Sequence, residues 1–207
     1  MITKDVLKRM LLSAADLWTE RKDELSEIDS KFGDGDHGVT IGKIAGIIKK
    51  DVEEWTDATM YEFLDDLGMD IMAVSGGSAG PLYGTMIGGL AGALEEADGP
   101  VDGAGLKAMF AASLEAMRDI TKADIGDKTM MDALIPAVRA AGEAADDVKA
   151  VLQAAKEAAA KGAKESEQYI SKFGRARSYK EQTIGTPDAG AVSTALFFEG
   201  IAAGLEE

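Results

Sequence analysis

Residues Phe32–Gly38 read FGDGDHG, and the fold turns on what such a loop serves. Its glycines at 33, 35 and 38 fit the G-x-G-x-x-G spacing of dinucleotide-binding loops, which requires a strand before the loop and a βαβ unit around it. Neither is present. The preceding apolar residues Val6, Met10, Ala14, Leu17, Trp18, Leu25 and Ile28 recur at spacings near three and four, which places them on one helix face. An EF-hand is excluded as well: counting from Asp34 puts Ala45 at the twelfth position, where a bidentate Glu is needed. The stretch GVTIGK (Gly38–Lys43) is one residue short of a P-loop and continues with Ile44 instead of Ser or Thr. What is left is an acidic loop between helices.

The helical period continues along the chain. Ile41, Ile44, Ile47 and Ile48 form a second stripe, Tyr61, Leu64, Leu67 and Ile71 a third, and Leu106, Phe110, Leu114 and Met117 another. Pro81 suits a first helical turn, where its missing N–H is no loss, and PLYGTMIGGLAGALEEA follows from it. MMDALIPAVRAAG predicts a further helix, with Pro136 as a kink or an early-turn residue. Ala- and Lys-rich residues from about Ala144 to Phe173 have high helix propensity, and a last helix is expected over about Asp188–Leu205. No segment alternates as a strand does. About eight helices with short polar connections, undivided by any Pro/Ser-rich linker, predict an all-α, single-domain bundle over residues 1–207. Gly84, Gly88 and Gly92 suggest closely packed helices.

Net charge of −15 argues against nucleic acid as a partner, because a polyanion is bound by displacing counterions with a basic face. It disfavours anionic membrane surfaces too. An anionic ligand must therefore be held by local positive charge or by metal. The absence of cysteine excludes thiolate metal sites and disulfides. The charged N-terminal segment lacks a signal-peptide core, and no apolar run nears the roughly 18 residues of a membrane span. A cytoplasmic protein is the expectation.

Four loops, FGDGDHG, SGGSAGPLYG, DIGDKTM and GRARSYKEQTIGTPDAGA, combine glycine with charge or hydroxyl groups at predicted helix starts. Helix starts offer unpaired N–H groups and a positive dipole end, so several on one rim would suit phosphate. The bland alternative for each is a cap or a turn. Asp29, Asp34 and Asp36 bring three carboxylates within eight residues. An oxygen-only set with open positions suits Mg²⁺, which keeps waters or takes phosphate oxygens as its remaining ligands. Spacing leaves a second reading open, in which the aspartates form an Asx-turn and N-cap cluster that shapes the helix start at His37. His37, the sole histidine, reads either as a cap or contact residue or as a functional group.

Taken together, Asp29 with GDGDHG (33–38), GGSAGPLYG (76–84), GDKTMMDAL (126–134) and GRARSYKEQTIGTPDAGA (174–191) resemble the L subunits of dihydroxyacetone kinases, in order and over nearly the whole chain. The resemblance implies an eight-helix, barrel-like bundle with a Mg–nucleotide site at one end, holding ADP or ATP. It makes Asp29, Asp34 and Asp36 the ligands of two Mg²⁺ ions and sets His37, Gly38, Val39 and Thr40 against the nucleotide. Ser78 and Ala79 fall at a phosphate-facing position, and Thr121 and Met130 near the base or ribose. Arg175 becomes the catalytic counter-charge for phosphate, and Asp188, Ala189 and Gly190 the last nucleotide-contacting loop. The sequence departs from the family in having Asp-Ala-Gly where Asp-Pro-Gly is common, and GGSAG for GGASG.

The implied reaction is phosphoryl transfer to dihydroxyacetone or a similar short ketose held on a separate K subunit. The donor is either a phosphotransferase-system protein acting on bound ADP or exchanging ATP, and the length without a fused K domain favours the former. Other readings are an ATP-dependent kinase subunit for another ketose such as erythrulose, and a non-catalytic, nucleotide-loaded regulatory subunit. Homodimerisation is left open.

Overall fold

The apolar stripe of the first thirty residues lies along one side of α1 (Lys4–Ser30), with Met10, Ala14, Trp18 and Leu25 buried at its centre. The computed structural model describes residues 1–94 and 99–205. Within them α2 (His37–Glu54), α3 (Met60–Met72), α4 (Ala79–Gly88), α5 (Gly103–Ile120), α6 (Met131–Glu143), α7 (Val148–Glu165) and α8 (Ala189–Ala203) follow. α1 packs against both α2 and α8, and α6 and α7 pair before α7 meets α8, so the helices close into a barrel-like bundle. The all-α reading stands: among the described residues only an isolated bridge between Ile2 and Val101 has β character. None of the described helices is long and apolar enough to cross a membrane.

Aromatic contacts hold the middle. Trp18 meets the edge of Tyr83 at 5.3 Å and lies 5.7 Å from Phe197, and its indole N–H donates to the Ser193 carbonyl at 2.8 Å. α1, α4 and α8 are thereby keyed to one another beneath the acidic loop. Glycine brings α3 and α4 together. A Cβ at Gly68 would come within 2.6 Å of the Gly88 backbone and 3.0 Å of the Gly84 carbonyl, a clash for any side chain.

Three helix boundaries differ from the periodicity. α4 stops at Gly88 and tightens into a 3₁₀ turn over Gly89–Ala93; the expected continuation through Glu95–Ala97 lies outside the described residues. The Ala/Lys-rich stretch is helical only over Val148–Glu165 plus a short 3₁₀ turn, Ser166–Gln168. There the Ser166 hydroxyl bonds back to the Ala163 carbonyl at 2.6 Å and the chain turns away, so propensity gives way to a local polar contact. Pro136 is an interior residue of α6. Its missing N–H frees the Asp132 carbonyl, and Gly162 of α7 packs directly over that oxygen where no side chain would fit.

α1, α3, α5 and α7 all begin at one end of the bundle, and each is capped by its own N-cap side chain. Thr3 accepts from the Val6 N–H, Asp102 from Gly105, and Asp147 from Ala150, while Thr59 and Glu62 form a reciprocal capping box. Lys8 donating to the Trp55 carbonyl, and Lys107 to Asp146, tie this end shut. The other end is open.

Candidate functional site

A cavity of about 330 Å³ lies where α1 ends and α2, α4, α6 and α8 begin. Asp36 precedes α2 and Ser78 precedes α4, and neither side chain caps its helix; Met130 before α6 makes no cap bond either, but there the Thr129 hydroxyl accepts from the Met131 N–H at 3.2 Å. The first-turn N–H groups of α2 and α4 are left for another acceptor, which is the arrangement that binds anions; those of α6 are taken up by Thr129 and Met130.

The acidic loop is shaped from within. The Asp29 carboxylate, on the last turn of α1, accepts from the Gly35 N–H at 2.9 Å, and the turn needs Gly35 at φ 75° and a Gly33 too close to Asp29 for any side chain. Asp29, Asp34 and Asp36 each turn a carboxylate oxygen to within 4.8 Å of the others. Because Asp36 sits at the N-cap position without capping, the Asx-turn and N-cap reading does not account for it. Three convergent carboxylates, one with a free side chain, fit a hard divalent cation that completes its shell with phosphate and water. Arg175 Nη1 pairs with Asp34 at 2.6 Å, and the Tyr179 ring lies 5.2 Å from Phe32. The segment from Gly174 thus leans over the loop through two contacts, of which the exposed ion pair is worth under about 1 kcal/mol.

Beneath the loop, His37 Nε2 lies 2.8 Å from Ser193 Oγ, and that oxygen is also bonded by the Tyr83 hydroxyl at 2.5 Å. Tyr83 reaches Thr194 Oγ1 and the Gly190 carbonyl, both at 3.0 Å. Burial pulls the imidazole of His37 down to about 4, against the opposing influence of the Asp29 carboxylate and the Ala189 carbonyl, so it is neutral at pH 7. Burial also raises the Tyr83 hydroxyl, which stays protonated as a donor.

Lys128 lines another part of the cavity, on a turn held by Asp132. Asp132 accepts from the N–H groups of Gly126 and Thr129 at 2.6 and 2.7 Å, which folds the GDKTM segment into a tight turn. That turn sets Lys128 at φ 60°, a left-handed conformation costing a non-glycine residue about 1 kcal/mol. Asp188 caps α8 by accepting from Ala191 at 2.8 Å, and burial pushes its carboxyl up to about 7 although the Ala191 and Gly190 N–H groups favour the anion.

Of the residues singled out in the sequence, Asp29, Asp34, Asp36, His37, Thr40, Ser78, Ala79, Met130, Arg175, Asp188, Ala189 and Gly190 border this cavity. Gly38, Val39 and Thr121 are not among its lining. Gly38 is the close-packing point of α2 on the Lys22 carbonyl of α1; Val39 points outward and is 56% exposed. Thr121 ends α5 and bonds the Ala123 N–H at 3.1 Å. Gly38 and Val39 still contribute first-turn N–H groups. Sequence reasoning passed over Tyr83 and Lys128, both lining residues, and Ser193 behind them. Lys128 left a signal, a single cation inside a glycine-led turn, whereas Ser193 left none.

The sequence matches the DAK2 domain over residues 31–203. The chain belongs to the DAK2 domain family. This DAK2 protein is 32% identical to the PEP-dependent dihydroxyacetone kinase 1, ADP-binding subunit DhaL, of Listeria innocua, over 96% of this chain and 95% of that one. It is 33% identical to the L-erythrulose kinase of Pectobacterium atrosepticum, over 94% of this chain but only 34% of the relative. Its fold superposes on the dihydroxyacetone kinase from C. freundii in complex with AMP-PNP and Mg²⁺ with a TM-score of 0.70 at 25% identity, over 95% of this chain and 33% of that one. The chain therefore spans about a third of the length of those two larger kinases.

Proposed function

We propose that this DAK2 protein is the Mg–nucleotide-binding subunit of a dihydroxyacetone kinase, transferring a phosphoryl group to dihydroxyacetone or a similar short ketose held by a separate substrate-binding subunit. The observation that carries the reading is the meeting, on one cavity, of three convergent aspartates with helix starts whose side-chain caps are missing. Asp29, Asp34 and Asp36 would hold Mg²⁺, two ions in this reading, with ADP or ATP. Bound Mg²⁺ would supply charge neutralisation and alignment of the phosphate oxygens.

The chain's own residues supply the rest. The uncapped N–H groups at the starts of α2 and α4, with the Ser78 hydroxyl, face the phosphates. Arg175, resting on Asp34, is within the same cavity and offers its guanidinium to the transferred group. Neutral His37 adds no charge to the seat and is oriented by Ser193. Met130, Ala189 and Gly190 form the wall for ribose and base. The ketose and its acid–base groups belong to the partner.

The DhaL relative, matched over nearly all of both chains, supports a phosphotransferase-system protein as donor to bound ADP. The L-erythrulose kinase supports a second version with a longer ketose, and the AMP-PNP complex of the C. freundii kinase supports exchange of ATP. The test mixes this protein with its substrate-binding partner and dihydroxyacetone or erythrulose, and supplies either phosphoenolpyruvate with the phosphotransferase proteins or ATP. Ketose phosphate formed with one donor selects that version. Nucleotide binding without transfer from either donor would leave a regulatory subunit.

A further inference from the structure

Lys128 is 4% exposed, lines the cavity, and occupies a left-handed backbone position that glycine would take without strain. Its side chain must therefore offset that cost. Its ammonium donates to the Ser166 carbonyl at 2.6 Å and to the Thr186 carbonyl at 2.5 Å. Ser166 follows the last turn of α7, and its carbonyl, which also accepts from the Tyr169 N–H at 3.2 Å, lies at the negative end of the helix dipole, which favours a cation. Thr186 belongs to the strip that leads into α8. One buried charge thus joins the turn before α6, the end of α7 and the start of α8.

The neighbouring contacts make this junction rigid. The Asp188 N–H donates to Ser166 Oγ at 2.9 Å, and the Gly185 N–H to the Glu167 carbonyl at 2.7 Å. A Cβ at Gly190 would sit 3.3 Å from the Met130 nitrogen and 3.4 Å from its Cβ, so the starts of α6 and α8 meet with only tenths of an ångström to spare. Asp132, Asp188 and Glu167 all favour the charged form of Lys128, against the larger effect of burial.

We infer that Lys128 is a positioning residue: by tying the Ser166 and Thr186 carbonyls it holds the Thr186–Gly190 strip against Met130 and sets the width of the slot for the nucleotide's ribose and base. This rests on the nucleotide reading proposed above. The aspartates lie at the junction of α1 and α2, whereas Lys128 lies on the turn before α6 and bonds Ser166 and Thr186, so Lys128 acts on nucleotide fit and leaves the cation requirement alone.

The test compares Mg–ADP binding by titration calorimetry in wild type, Lys128→Met and Lys128→Gly. The glycine variant removes the left-handed strain together with the ammonium, which protects folding, and circular dichroism checks that both stay helical. Both should bind Mg–ADP at least tenfold more weakly than wild type, with binding abolished by EDTA as it is in wild type. n-Butylammonium, which matches the deleted side chain, should bring Lys128→Gly back to within about threefold of wild type, while n-butanol should not. Affinity within twofold of wild type in either folded variant overturns the inference, as does equal rescue by the alcohol, which would make the role one of filling space. Wild type that binds no Mg–ADP overturns the nucleotide reading, and this inference falls with it.

Discussion

Where α1, α3, α5 and α7 begin, Thr3, Thr59, Asp102 and Asp147 each turn a side-chain oxygen back onto their own helix; where α2, α4 and α6 begin, Asp36, Ser78 and Met130 do not. Asp appears in both sets, so residue type does not separate them. The difference is what the oxygen faces. At the closed end it meets its own helix, and the end is finished. At the open end the Asp36 carboxylate turns toward Asp29 and Asp34 instead, and the first N–H groups of α2 and α4 stay available. Stability left unmade at one end of a fold is where a ligand finds its contacts.

The contrast is most severely tested by Arg175, whose ion pair is exposed. Arg175→Ala should leave the melting temperature within about 1 °C and lower phosphoryl transfer by roughly 10³-fold, read in the partner-dependent assay. A proportionate loss of both would make Arg175 a structural contact. Next, Asp36→Asn should weaken Mg–ADP binding by about 100-fold or more while the helical circular dichroism is unchanged; undiminished affinity would remove Asp36 from the cation seat.

Asp188 straddles the contrast, since it caps α8 from within the cavity. The folded chain keeps its proton up to about pH 7, whereas the unfolded chain releases it near the ordinary value of about 4. The resulting stabilisation is complete below about pH 4 and is lost as pH rises through about 7. Asn caps a helix as well as Asp does, so Asp188→Asn should gain roughly 2 kcal/mol on wild type between pH 4 and pH 8, after allowing for the partial exposure of the site. Denaturant titrations at the two pH values check this; a constant difference would contradict it.

The smallest effects separate the ends directly. Thr59→Ala and Asp147→Ala should each cost about 1 kcal/mol, a melting decrease of about 2–4 °C, with Mg–ADP affinity unchanged. Ser78→Ala, which removes no cap, should leave melting within about 1 °C and weaken nucleotide binding by roughly tenfold. Similar behaviour of all three would erase the distinction between the ends.

The bundle was legible because α1, α2, α3 and α5 each bury one stripe, and a stripe is written in spacings of three and four. The boundaries that escaped depend on single local events: the Ser166 back-bond that ends α7's run, and the Gly88–Gly89 pair where α4 tightens. In the site, the three aspartates were legible because they fall within one short segment. The His37–Ser193 contact joins residues 156 apart, and the Asp34–Arg175 pair residues 141 apart. Nothing in the local pattern of either partner announces the other. The uncapped helix starts were hidden for a different reason: Asp36 and Ser78 are ordinary capping residues, and only the direction of the side chain shows that they do not cap.

Thermal unfolding with ADP, in Mg²⁺ and then in EDTA, tests the acidic seat most directly. At about a hundred times its dissociation constant, Mg–ADP should add roughly 2.7 kcal/mol and raise the melting temperature by about 5–10 °C, starting from protein freed of nucleotide. With EDTA the same ADP concentration should give no rise. An equal rise in EDTA would mean that phosphate is seated without a cation, and the aspartates would then have no part in holding it.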